Sequence, residues 1–144
     1  MKRTLSLTSL CVGLLVTLGA CGGNEYQLIF AIDASFQGPH AAHIIAVAVV
    51  RTSDGVVLDE QGGAVSGTAD PAFTFTWLDI LDEDEAYEIH YWIDSNFGGG
   101  TEGACDFPED HQWSVAVAAV AGDVTITEAH DGGTISDVCS TFAS

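Results

Sequence analysis

The chain has 144 residues, 47% of them hydrophobic, and its 21 acidic side chains outnumber three basic ones to give a formal charge of −18 at pH 7. A surface this acidic repels phosphate backbones and anionic headgroups, which excludes nucleic-acid binding and docking through a basic lipid-binding patch. The length is enough for one domain with a sizeable apolar core.

The first 21 residues have the organisation of a secretory signal. Lys2 and Arg3 precede an apolar run over 5–18, which has signal-peptide length and is too short to span a bilayer comfortably. The run ends in the tetrapeptide LGAC, whose cysteine is Cys21. Charge, apolar run and tetrapeptide together resemble the lipobox signal of bacterial lipoproteins.

This resemblance implies that residues 1–20 are a lipoprotein signal peptide, that Cys21 carries acyl chains such as palmitate, and that 21–25 are the lipidated cysteine and tether. No Asp follows Cys21, so sorting to the outer membrane is favoured over retention at the inner one. Each buried CH₂ contributes about 0.8 kcal/mol, so several chains anchor the protein in the cell envelope. The mature chain keeps one base, Arg51, against 21 acids, a formal charge of −20.

Residues 26–144 form a single predicted domain of short β-segments separated by turn residues. The segment 72–78 (AFTFTWL) alternates aromatic residues with threonine, whereas 43–52 is apolar on both faces and so central. Seven segments at this spacing predict an antiparallel β-sandwich, similar in outline to immunoglobulin-like or transthyretin-like modules. The predicted strands cover 26–33, 43–52, 56–60, 72–78, 87–94, 111–120 and 123–129.

Two cysteines remain in the mature chain once the lipidated one is set aside. Cys105 and Cys139 are a single pair in an oxidising compartment, which predicts a disulfide worth on the order of 3 kcal/mol. A thiolate metal site is the alternative, but the pair lacks the close spacing typical of such sites.

Polar residues are predicted to gather at one end of the sandwich. In an immunoglobulin-type order, the connection after the first strand, the connection after the fifth and the end of the seventh lie together. That arrangement places seven candidate side chains at one pole: His40, His43, Asp94, Asp106, Asp110, His111 and His130.

Imidazoles in this number predict a transition-metal site, because histidine suits Zn and Cu. Carboxylates near them serve as further ligands or as hydrogen-bond partners of the second ring nitrogen. His90 lies within a strand and is assigned a structural role instead. The predicted site comprises His40, His43, His111 and His130, with Asp94 and Asp110.

The stretch 94–111 (DSNFGGGTEGACDFPEDH) also predicts a calcium loop as an alternative. Side-chain oxygens recur along it, as in oxygen-rich calcium loops, although the spacing departs from an EF-hand. In the competing interpretation, its Asp and Asn residues only cap turns in a glycine-rich loop. The calcium ligands would be Asp94, Asn96, Asp106 and Asp110.

Motifs for catalysis are missing from the sequence. It contains no G-x-S-x-G elbow, phosphate loop or H-E-x-x-H pair, which predicts a non-enzymatic module. We therefore expect a lipid-anchored envelope protein that binds one divalent metal, Zn or Cu before Ca. The alternative is a metal-free structural or interaction lipoprotein with an unidentified envelope partner, and a metal-dependent enzyme ranks third.

Overall fold

The computed structural model describes residues 23–132 and 136–142, and there it confirms the predicted seven-stranded β-sandwich. The predicted signal peptide 1–20 and the predicted lipidation site Cys21 lie outside these residues. Within the described part, none of the helices has the length and apolar character needed to traverse a bilayer. The elements are β1 (Glu25–Ile32), a 3-10 turn (Ala34–Phe36), α1 (Gln37–His40), β2 (Ile44–Arg51), β3 (Val56–Ala64), β4 (Phe73–Asp82), β5 (Tyr87–Ile93), β6 (His111–Val117), β7 (Val124–Glu128) and α2 (Cys139–Phe142).

The strand order differs from the immunoglobulin order on which the predicted pole was based. One sheet has the order β4-β1-β7 and the other β3-β2-β5-β6. An immunoglobulin sandwich keeps its first two strands in one sheet, whereas β1 and β2 lie in different sheets here. β1 pairs antiparallel to β4 and parallel to β7, so β1 and β7 finish at the same end.

The core lies between the inward faces of the two sheets. Phe30 of β1 meets Tyr91 of β5 with ring centroids 5.0 Å apart, and Tyr91 stacks on Trp113 of β6 at 4.9 Å. All three side chains are buried, and burial of a phenylalanine such as Phe30 contributes about 1.5–3 kcal/mol. These aromatic contacts connect the two sheets directly beneath the pole that carries the histidines.

The strands β3 and β4 each run four residues beyond their predicted ends, and β6 stops three residues before its predicted end. β3 continues through Gly62 and Gly63 to Ala64, because these residues pair with β2 along its whole length. The connection after β1 contains helical turns instead of an open loop. Asp33 begins them by accepting a hydrogen bond from the Ser35 backbone N–H at 2.8 Å.

The C-terminal segment 136–142 covers the outer face of the four-stranded sheet. The predicted disulfide is confirmed, with Cys105 and Cys139 Cα atoms 5.3 Å apart. Val138 is buried, and its N–H donates to the Gln112 side chain at 3.0 Å. The disulfide therefore joins the 94–110 loop to α2.

Candidate metal centre

His40 is the buried member of a histidine cluster at the predicted pole. It ends α1, and none of its surface is exposed to solvent. Phe36, one helical turn earlier, is also fully buried and lies 6.1 Å from the His40 ring. The helical turns after β1 thus place His40 against the core, which an extended loop would not do.

His130 and His111 reach His40 from two other elements. His111 is the first residue of β6 and pairs with Ile93, the last residue of β5. His130 follows the end of β7, and its N–H donates to the Ser35 hydroxyl at 2.8 Å. That hydroxyl belongs to the turn that leads into α1, so this hydrogen bond joins the end of β7 to the segment that carries His40.

The three imidazoles point nitrogens at one another. His40 Nε2 lies 3.0 Å from His130 Nε2 and 3.1 Å from His111 Nδ1. One ligand atom from each lies within 4.8 Å of the other two. Nitrogens bound to one tetrahedral zinc ion at 2.0–2.1 Å are about 3.3–3.4 Å apart, so small side-chain movements would accommodate an ion.

Ser95 determines which nitrogen of His40 faces the cluster. The Ser95 hydroxyl donates to the Ile93 carbonyl at 3.0 Å, which leaves its oxygen to accept from His40 Nδ1–H at 3.3 Å. A neutral imidazole carries one proton, so His40 Nε2 is left with its lone pair toward His111 and His130. A hydrogen bond to the second ring nitrogen is the usual partner of a metal-bound histidine.

Aromatic rings surround the cluster. Phe36 lies 5.2 Å from the His130 ring, and Trp113 lies 5.5 Å from the His111 ring. Phe97, which is 55% exposed, covers His111 from outside at 4.8 Å. Burial among these rings disfavours the positively charged form of His40 and His111.

This setting keeps His40 and His111 in the neutral form that binds metal. Burial, with repulsion from a protonated His111 second, lowers the pKa of His40 to about 3. Burial also lowers the pKa of His111, helped by His130 and opposed by the Asp110 carboxylate. Protons therefore compete weakly with a metal ion at neutral pH.

The two predicted acidic ligands organise the loop. Asp110 accepts from the N–H groups of Ser95 at 2.8 Å and Asn96 at 3.1 Å with one oxygen, and from the Asp106 N–H at 3.0 Å with the other. Asp94 accepts from the Gly103 N–H at 2.7 Å and from the Asn96 side chain. Asp110 thus supports the site indirectly, because it holds the residue that orients His40.

His43, the fourth predicted histidine ligand, lies at the edge of the cluster. Its ring is 5.9 Å from that of His40, and it does not belong to the group whose ligand atoms converge. Among the described residues, its buried Nδ1 has no hydrogen-bond partner.

The alternative calcium ligands share one loop, but their carboxylates are engaged with the chain itself. Asp106 accepts from the Thr101 N–H, in addition to the contacts of Asp94 and Asp110 already described. Asn96 adopts a positive φ of 48° with its Oδ1 buried. These contacts are those of turn-capping residues.

Several contributors were not expected from the sequence. Ser95 carries no motif, and its role depends on an approach between residues 55 positions apart. Trp113 follows His111 by two residues, and such spacing along a strand puts both on one face. The sequence alone could therefore have predicted that Trp113 lies beside His111. His90 lies apart on β5, as expected.

No protein-family model, curated protein or solved structure matches the chain. Function is therefore inferred from the geometry of the histidine cluster and from the chemistry of the sequence.

Proposed function

We propose that the protein is a lipid-anchored component of the bacterial cell envelope, in the outer membrane, that binds one transition-metal ion through His40, His111 and His130. The lipid anchor and the location are supported by the lipobox-like sequence ending at Cys21. The fold supplies a rigid sandwich that presents the site at one pole.

The observation that carries the metal proposal is the convergence of three imidazole nitrogens within 4.8 Å. In the metal-free molecule one lone pair on His40 Nε2 faces two ring nitrogens at 3.0 and 3.1 Å, and it can accept only one good hydrogen bond. An ion would use all three nitrogens at once.

Zn or Cu is the class of ion that these ligands favour. The three donors are imidazoles, which suit both metals, whereas calcium requires six to eight oxygens. No carboxylate joins the group of converging ligand atoms among the described residues.

Metal content is the measurement that tests this proposal. Residues 22–144 are secreted into an oxidising compartment without a His tag, exchanged against Zn, Cu or Ca, and assayed by mass spectrometry. We expect about one equivalent of Zn or Cu, lost in His111→Ala.

The matched control is His90→Ala, which removes a histidine from the same sheet outside the cluster and should leave the metal content unchanged. Calcium bound equally by wild type and His111→Ala would favour the carboxylate loop instead. No metal in any of the exchanges would contradict both sites and leave the metal-free structural or interaction lipoprotein as the function.

A further inference from the structure

A row of hydrogen-bonded polar side chains lies on the outer face of the four-stranded sheet, apart from the histidine cluster. The Thr141 hydroxyl on α2 is 2.7 Å from His90 Nδ1, and His90 Nε2 is 2.9 Å from Glu88 Oε2. Glu88 and His90 are two residues apart on β5 and therefore share a face. Thr141 is brought to them by the segment that crosses this sheet.

The donor and the acceptor of each hydrogen bond in this row can be assigned. A carboxylate only accepts hydrogen bonds, so His90 Nε2–H donates to Glu88. His90 Nδ1 then carries the lone pair and accepts the Thr141 hydroxyl proton. The Ser114 hydroxyl also donates to Glu88 Oε2, at 3.4 Å, which helps to hold the carboxylate. A hydroxyl, an imidazole base and a carboxylate that orients the base are the parts of an activated nucleophile.

A cavity opens beside this row. It has a volume of about 360 Å³ and is lined by Glu88, His90 and Thr141, with Val50, Val57 and Ser140 among its other walls. This volume lies at the small end of the range for small-molecule sites. A compact substrate can therefore reach the Thr141 hydroxyl.

We propose that Thr141 is the nucleophile of an acyl-transfer site for small uncharged esters, with His90 as its base and Glu88 holding the imidazole. The site is separate from the histidine cluster and does not depend on the proposed metal function.

The overall reaction consumes one ester and one water molecule and releases an alcohol and an acid. Thr141 Oγ1 bonds to the acyl carbon while its proton passes to His90 Nδ1. The ester C–O bond breaks, and the alcohol leaves with that proton. Water then attacks the acyl-threonine, gives its proton to His90, and releases the acid as the Thr141 oxygen takes the proton back.

The charged residues around the cavity favour an uncharged substrate. Arg51 also lines the cavity, but Asp54 accepts from its Nε at 3.1 Å and from its second terminal nitrogen at 2.7 Å. Asp82 lies 3.8 Å from its remaining nitrogen. Because the guanidinium is already paired and the rest of the surface is acidic, an anionic ester would be repelled.

The test uses the full chain, expressed with its own leader, purified in detergent and treated with a chelator. Hydrolysis of p-nitrophenyl acetate is followed by absorbance, and the acylated residue is located by peptide mass spectrometry. We expect an acetyl group on Thr141 and a loss of about 100-fold in rate in His90→Gln, in line with the usual contribution of general-base proton transfer. Thr141→Val, which removes the nucleophile, should lose at least as much.

Two controls separate catalysis from a structural latch between α2 and the sheet. Thr141→Ser keeps a nucleophilic hydroxyl and should recover activity that Thr141→Val loses, whereas Thr127→Val, at an exposed position on β7 of the other sheet, should match wild type. Near-ultraviolet circular dichroism, which reports on Trp92 beneath α2, checks that each variant is folded. Equal rates in folded Thr141→Val and wild type, a rate no greater than buffer, or acetylation only elsewhere would overturn the proposal.

Discussion

The Ser95–His40 hydrogen bond connects the histidine cluster to the loop that follows β5. The Asp110 carboxylate holds the Ser95 N–H, and the Ser95 hydroxyl holds His40 Nδ1. Removing that hydroxyl leaves every nitrogen of the cluster in place but frees the His40 ring to rotate or to change tautomer.

Ser95→Ala should therefore weaken metal binding without abolishing it. Loss of the hydrogen-bond partner of a metal-bound histidine usually costs 10–100-fold in affinity, and we expect a loss of about that size. Competition with a chromogenic chelator measures it. Ser114→Ala, on the outer face of β6, is the control and should keep wild-type affinity. Equal affinities for the two variants would contradict the role of Ser95.

The depressed pKa of His40 predicts how the stability of the metal-free protein depends on pH. In the folded state the pKa is about 3, against 6.5 for the ordinary side chain, so below pH 6.5 the unfolded chain binds the proton first. This contribution to the free energy of unfolding is complete above pH 6.5 and is lost as the pH falls toward 3. Its slope approaches about 1.4 kcal/mol per pH unit inside that window.

Urea unfolding between pH 7.5 and 5 checks this dependence, because most carboxylates stay ionised there. His40→Gln, which cannot titrate, should show a flatter profile than wild type. Parallel profiles for wild type and His40→Gln would show that the buried imidazole is not the group responsible.

In the loop 94–110, a glycine is needed more at residue 100 than at residue 98. Gly98 and Gly100 have φ values of 94° and 115°, which side chains rarely adopt. A Cβ at Gly98 meets nothing within 4 Å, whereas one at Gly100 collides with Asn96 Oδ1 and approaches Asp106 Oδ2 at 3.4 Å. The close approach of the chain to these oxygens explains a glycine at residue 100.

We therefore expect Gly100→Ala to destabilise the protein more than Gly98→Ala. Both substitutions cost about 1 kcal/mol or more for the strained backbone, and the first adds the collision. Chemical denaturation of both variants gives the difference. Gly100→Ala should also weaken metal binding more, because Asn96 follows Ser95 directly. Equal stabilities would mean that the loop relaxes freely around residue 100.

The position of the pole was predictable, although the strand order used to predict it was wrong. Successive strands reverse direction, so the connections after β1 and β5 and the end of β7 share one end in either order. What the sequence did not indicate are contacts between distant residues, such as Ser95 with His40 and Thr141 with His90. The first contact depends on how the two sheets pack and the second on how the C-terminal segment crosses the outer face of one sheet, and periodicity encodes neither.

The domain as a whole carries a charge that opposes its own folding. Residues 22–144 contain one strong base, Arg51, against 21 acidic residues, and Arg51 is already paired with Asp54. Compaction brings the remaining carboxylates closer together, and their mutual repulsion lowers the free energy of unfolding. Dissolved salt screens this repulsion over a Debye length that falls from about 10 Å at 0.1 M to about 3 Å at 1 M.

The melting temperature of the metal-free protein should therefore rise with NaCl and level off as the Debye length falls below the spacing of the surface carboxylates. Differential scanning calorimetry in a chelating buffer, from 0.05 to 1 M NaCl, measures the curve. Sucrose, which stabilises by exclusion from the surface without screening charge, is the control and should give a rise that does not level off. A melting temperature that is flat or falls with NaCl would show that the acidic residues lie too far apart to destabilise the fold, and that solubility is their main consequence.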